Sequence, residues 1–144
     1  MEIRASYRRA SDEFGTTAQP IGTHSPGFVA STDEEAKELF YPGYKEIRDR
    51  IGRQRGWPPL RREEFDAEVD RGSLYVGSAE TVAARIAHAV RVLDAGRFDM
   101  IYSAAGTVSA SARLRSVELY GTQVIPRVRE LLSERPAASA GATR

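Results

Sequence analysis

Two short apolar segments, one around Phe28 and Val29 and one from Phe98 to Tyr102, alternate in this chain with amphipathic helical stretches. That alternation argues for α/β packing, in which each helix crosses back over the sheet and delivers the next strand parallel to the last. The order reads helix, strand, helix with an excursion, helix, strand, helix. Two firm strands cannot close a sheet on themselves, and a closed barrel of eight such units typically needs about 250 residues. The 144 residues present therefore supply about a quarter of the strands such a barrel would use.

The helical segments announce themselves by period and punctuation. Ile3, Tyr7, Ala10 and Phe14 recur at helical spacing before Gly15. Pro20 to Ala30 reads as an irregular strand, interrupted by Gly22, Pro26 and Gly27 and firmest at Phe28 and Val29. Thr32 and Glu35 have capping-box spacing, so a helix starts there with Ala36, Leu39, Phe40, Tyr44, Ile47 and Ile51 as its apolar stripe. Pro42 and Gly43 should kink or split it. Gly52 and Gly56 bracket its end, and Trp57-Pro58-Pro59-Leu60 is a stiff connector.

A short polar helix is expected at Arg62 to Val69, then an apolar run, Leu74 to Val76, closed by Ser78 as N-cap. The next helix runs to about Leu93, with Val82, Ile86, Val90 and Leu93 on one face, and Gly96 stops it. Phe98, Met100 and Tyr102 form a strand that could be covered on both faces. A Gly- and Ser-rich loop, Ser103 to Ser111, leads to a last apolar stripe: Leu114, Val117, Tyr120, Val124, Val128 and Leu131. Gly121 and Pro126 should bend that helix. Val82, Ile86, Val90, Val117 and Val124 are expected among the most buried residues. The domain spans 1–133, and 134–144, rich in Ala, Ser and Gly, reads as a disordered tail.

With 21 Lys and Arg against 20 Asp and Glu, the net charge of +1 provides no field for a phosphate backbone or an anionic lipid surface, so neither nucleic acid nor membrane is implied. No stretch approaches the roughly 18 apolar residues of a membrane span. The sequence has no cysteine, which removes disulfides and thiolate chemistry and fits a cytoplasmic setting. Its two histidines, His24 and His88, lie too far apart in sequence to suggest a metal site. The arginines at 48, 50, 53, 55, 61 and 62 alternate with Glu46, Asp49, Glu63, Glu64 and Asp66, the pattern of a solvated ion-paired face. Gly77-Ser78 before a helix reads as a cap rather than an anion site, and no glycine-rich phosphate motif occurs.

Several segments together resemble the C-terminal region of luciferase-like flavin-dependent monooxygenases. They are His24-Ser25-Pro26-Gly27-Phe28-Val29-Ala30 leading into Ser31-Thr32-Asp33-Glu34-Glu35-Ala36, then Phe40-Tyr41-Pro42-Gly43-Tyr44 and Arg55-Gly56-Trp57-Pro58-Pro59. Downstream come Tyr75-Val76-Gly77-Ser78-Ala79-Glu80-Thr81-Val82-Ala83, Gly106-Thr107, and Ser116-Val117-Glu118-Leu119-Tyr120-Gly121-Thr122-Gln123-Val124-Ile125-Pro126. The resemblance covers roughly Tyr7 to Leu132. The family usually has proline where Ala79 stands, and commonly a Leu-Pro-His-like stretch where Val108 to Ser111 stand.

The resemblance implies a partial (β/α)8 TIM barrel made of the last two strand–helix units, with the excursion from Thr32 to Gly72 as a lid. It implies reduced flavin, FMN or a deazaflavin, acting with dioxygen on a small organic substrate. Active sites of such barrels lie at the C-terminal strand ends. Ser103, Gly106 and Thr107 follow the last strand and are the candidates to face cofactor or substrate. His24 joins them because its ordinary pKa suits proton transfer near neutrality, although a packed, hydrogen-bonded histidine is the simpler reading. The flavin phosphate contacts of the family come mostly from earlier units. A chain holding only the last units exposes strand edges and helix faces, so a homodimer or another partner is expected to cover them; a non-enzymatic dimerisation or partner-binding remnant is the competing function.

Overall fold

The computed structural model describes residues 2–134. The expected tail from 135 onward lies outside the described residues. The elements are α1 (Glu2–Glu13), β1 (Ile21–Ala30), α2 (Asp33–Arg55), α3 (Arg62–Arg71), β2 (Tyr75–Ser78), α4 (Ala79–Leu93), β3 (Ala95–Ile101), α5 (Ala110–Leu119) and α6 (Ile125–Ser133). A 3-10 turn, Ser103–Ala105, follows β3, and a π-helical turn, Tyr120–Val124, joins α5 to α6. The result is a mixed α/β fold around a three-stranded sheet in the order β2-β1-β3. Both pairings are parallel, as the alternation requires.

The irregular strand anticipated before Ala30 is one strand of 10 residues that changes partner midway. Ile21 to Pro26 pair with β3, and Gly27 to Ala30 pair with β2. Proline has no amide to give a ladder and is usually excluded from central strands. Pro26 stands at the changeover, the last position matched to β3. Past the end of β3 the α5 helix takes over: the Val29 amide donates to the Ser116 hydroxyl at 2.7 Å.

Two cores sandwich the upper half of β1. On one face Phe28 and Ala30 meet Phe40 of α2, Phe65 and Val69 of α3, and Leu74 and Val76. The Phe28–Phe40 ring centroids are 6.1 Å apart and Phe40–Phe65 6.4 Å. On the other face Val29 meets Val82, Ala83 and Ile86 of α4, with Leu119 and Val124. Each valine or isoleucine withdrawn from water in this way contributes about 1.5–3 kcal/mol. The excursion thus supplies a second layer packed on the sheet beside the strand ends.

Helix starts follow the caps. The Thr32 hydroxyl accepts the Glu35 amide at 3.1 Å, while the Glu35 carboxylate reaches back to the Ser31 amide at 3.0 Å. Ser78 accepts the Thr81 amide at 3.3 Å and begins α4. Pro42 does not split α2, which continues to Arg55 and is closed by Gly56. α4 ends at Asp94, in a left-handed conformation with φ 51°, and not at Gly96. Gly96 belongs to β3, where the register jumps from Ile21↔Ala95 to Gly22↔Arg97.

The burial expectations hold for Val82, Ile86 and Val124 and fail for Val117, which is 46% exposed; Val90 is half-buried. The cause is the π turn. One extra residue in the turn at Tyr120–Val124 rotates the phase, so α5 buries Ser116 and Leu119 while Leu114 and Val117 face outward. Two further corrections concern the lower molecule. Tyr7 and Phe14 of the first stripe are exposed, and β3 is covered on only one face.

Candidate functional site

The C-terminal strand ends converge where β1 runs into α2, β2 into α4, and β3 into its turn. Asp33 joins the first two. Its carboxylate accepts the Ser78 amide at 2.6 Å and the Thr81 hydroxyl at 3.0 Å. Gly77 permits this approach, since a Cβ there would stand 2.7 Å from the Asp33 carboxylate. Burial by itself would raise the Asp33 pKa, but these hydrogen bonds and Lys37 hold it below the ordinary 3.8. The Ser78 amide at the start of α4 is therefore already occupied by a carboxylate from within the chain.

The turn after β3 holds three of the residues singled out from sequence. Ser103 and Thr107 are exposed. Gly106 has φ 52° and lies backbone to backbone against Gly43 of α2. A Cβ on Gly106 would come within 2.7 Å of the Gly43 Cα, and one on Gly43 within 2.4 Å of the Ala105 carbonyl oxygen. Packing thus accounts for Gly106. Arg113 of α5 donates to the Gly106 carbonyl at 3.2 Å and holds the turn from the other side.

His24 is not brought to this turn. It sits mid-strand opposite Asp99 of β3, on the face of β1 that also carries Phe28, but below the reach of α2 and exposed. Four residues separate Asp99 from Ser103, on the order of 13 Å of extended strand. Around His24 lie Asp99 and Arg97, themselves ion-paired at 2.8 Å. No group of three or more potential metal ligands occurs among the described residues.

Sequence reading missed the polar contact that closes the far side. Ser116 is fully buried, caps the Val29 amide and accepts the Tyr102 hydroxyl at its carbonyl, 3.3 Å away. Burial pushes the Tyr102 phenol above its ordinary 10.0, with the Ser116 contact pulling the other way. The only sign of Ser116 in the sequence was its position in the final helix, and the π turn concealed its phase. Between α2 and α5 at the tip of β1 a cleft of about 60 Å³ remains, lined by residues including Ser31, Glu35, Leu39 and Arg115.

No family profile matches the chain, and no curated protein sequence matches it. A solved structure does: the oxygenating constituent of 3,6-diketocamphane monooxygenase from the CAM plasmid of Pseudomonas putida, a type II Baeyer-Villiger monooxygenase in complex with FMN. It superposes with a TM-score of 0.60 and 22% identity over 87% of this chain. The likeness is one of fold. This chain spans 38% of the monooxygenase chain.

At the C-terminal strand ends the described residues do not by themselves enclose a flavin. Ligand pockets for molecules of that size run from about 300 Å³ upward, and the cleft at the tip of β1 offers about 60 Å³. Nor is the Ser78 amide open to a phosphate, since Asp33 holds it. No helix among the described residues is long and apolar enough to cross a membrane.

Proposed function

We infer that this chain is the C-terminal segment of a luciferase-like flavin-dependent monooxygenase, the last strand–helix units of a (β/α)8 barrel, and that it supplies walls rather than the flavin pocket. The observation that carries the reading is the fold match to an FMN-bound monooxygenase over 87% of this chain. The run of motifs from His24 to Pro126 supports it independently. In an intact enzyme of this class the flavin supplies oxygen activation. The part left to this chain is to hold the strand ends rigid, through Asp33, Gly43–Gly106 and Ser116, and to exclude water on that side.

FMN is the cofactor of the reading, with a deazaflavin as its variant, and the substrate is a small organic molecule. Ser103 and Thr107, exposed at the strand ends, are the side chains with access to a ligand there. The competing reading, a binding module without catalysis, is favoured by the outer edge of β3, which no strand among the described residues pairs.

Titrating FMN into the purified chain by fluorescence quenching, then following oxygen uptake with reduced flavin and a long-chain aldehyde, tests the segment reading. Neither saturable quenching at micromolar FMN nor coupled oxygenation is expected. Micromolar binding with substrate oxidation would defeat it. The DNA upstream of the Met1 codon separates the two functions: an in-frame continuation encoding five further strand–helix units favours the enzyme, and a stop codon there favours the module.

A further inference from the structure

We propose that the cleft between α2 and α3 binds a small organic acid, holding its carboxylate with Arg48, Arg71 and the Tyr44 hydroxyl. The cleft has a volume of about 620 Å³, inside the usual range for small-molecule sites. All of its walls come from one continuous stretch, 44–73, so it owes nothing to the sheet edges or to closure of a barrel. The inference also stands apart from the flavin reading, since no part of it requires a cofactor.

The floor is apolar and pinned. Leu60, 6% exposed, is drawn in at the end of the stiff connector from Trp57. Its amide donates to the Asp49 carboxylate at 2.7 Å, and its carbonyl accepts the Lys45 ammonium at 2.7 Å. Ala67 lines the α3 side. The Tyr44 ring stacks on Phe40 with centroids 5.5 Å apart, so the core holds it in place where it lines the cleft.

The polar groups around this floor are unevenly engaged. Both acidic side chains already have partners. Glu64 accepts the Arg61 guanidinium at 2.9 Å and the Arg61 amide at 3.3 Å, and these bonds hold its carboxyl below the ordinary 4.5. Glu68 accepts the Ser73 amide at 3.0 Å and the Ser73 hydroxyl at 3.3 Å. The donors differ. Arg71 and the Tyr44 hydroxyl make no hydrogen bond or ion pair with any described residue. Arg48 is fixed by stacking on Trp57 at 4.2 Å and by Gly52, where a Cβ would stand 3.1 Å from its Nη1, yet it forms no ion pair among the described residues. Burial, with Glu68 adding to it, pushes the Tyr44 phenol above its ordinary 10.0, so it stays a donor at neutral pH. Donors without partners beside acceptors that have them select a group that only accepts, and guanidinium groups favour a carboxylate or a phosphate. Charge decides between the two. With Arg61 included, three arginines face two glutamates, one positive charge in excess. That matches a carboxylate and falls short of a phosphate dianion.

Trp57 is the one tryptophan in the sequence and lies against Arg48, so its emission reports on the cleft. Titrating the full chain with benzoate should change that emission saturably, with a dissociation constant on the order of 1 mM. Benzamide, of the same shape without the charge, and inorganic phosphate should each bind about tenfold more weakly. Arg71→Gln should weaken benzoate binding about tenfold, and Tyr44→Phe about threefold. Arg71 is exposed, so its replacement should leave the urea midpoint unchanged and the loss cannot be read as unfolding. Arg53→Gln, at an exposed arginine of α2 outside the cleft, should bind benzoate as the wild type does. No saturable change up to tens of millimolar benzoate, benzamide matching benzoate, phosphate binding as tightly, or an Arg71→Gln chain that binds like wild type would overturn the proposal.

Discussion

The two halves of β1 differ in everything but chain continuity. From Gly27 to Ala30 the strand is buried on both faces, between the α2–α3 layer and the α4–α5 layer. From Ile21 to Pro26 it pairs with β3 and leaves Gly22 and His24 exposed on a face that no helix among the described residues covers. A strand in a parallel sheet normally reads as buried throughout. The difference teaches that the excursion compensates only locally: α2 and α3 supply a second core layer at the strand ends and nothing lower down.

The sharpest way to break this contrast is at Phe40, which has no exposed surface and touches rings on both sides. Phe40→Ala should cost about 3–5 kcal/mol, read as a lower urea midpoint with little change in slope. A loss under about 1 kcal/mol would mean that the upper half is not a packed core. Next comes Ser116→Ala, which strands the buried Val29 amide. It should cost about 1–2 kcal/mol, and the Val29 amide should lose protection in hydrogen exchange.

A smaller effect is expected at Asp33, whose carboxylate is largely screened by solvent. Its folded pKa lies below 3.8, so the stability it adds is present above that ordinary value and is lost as pH falls through the folded one. Asp33→Asn should therefore be less stable than wild type at neutral pH, with the gap closing in acid. A gap that stays constant with pH would remove the carboxylate from the account. Smallest of all is His24→Ala on the open face, where a change within about 0.5 kcal/mol is expected. A larger loss would show that something covers that face.

Much of this arrangement was legible beforehand because period and caps are local. Thr32, Ser78, Val82 and Ile86 stand where spacing put them, and parallel pairing followed from alternation. Phase across the final helix was not legible, because a π turn costs one residue of register and leaves no mark that Gly121 or Pro126 would distinguish from a bend. The partner change in β1 was hidden for a related reason: Pro26 signals a broken ladder but not which strand takes over. At the candidate site, Gly106 was singled out for its place after β3, and its packing against α2 was not legible. Its neighbour in space, Gly43, is 63 positions earlier, and periodicity carries no information about contacts at that range. Asp33, in the first turn of α2, turned out to bond the start of α4.

The Gly43–Gly106 contact also bears on how this molecule can change by descent. Between most packed elements, side chains act as shims: a valine becomes an isoleucine and a drifting gap closes. Here there is no shim, because main chain rests on main chain and even a methyl group would overlap an oxygen or an amide. The distance of α2 from the turn after β3 is consequently set by atomic radii, the same in any descendant that keeps both glycines. Widening the space above the strand ends cannot proceed by trading one residue for another at this joint. It takes an added or deleted residue in the turn, so variation in what this end of the fold admits should arise as changes in loop length.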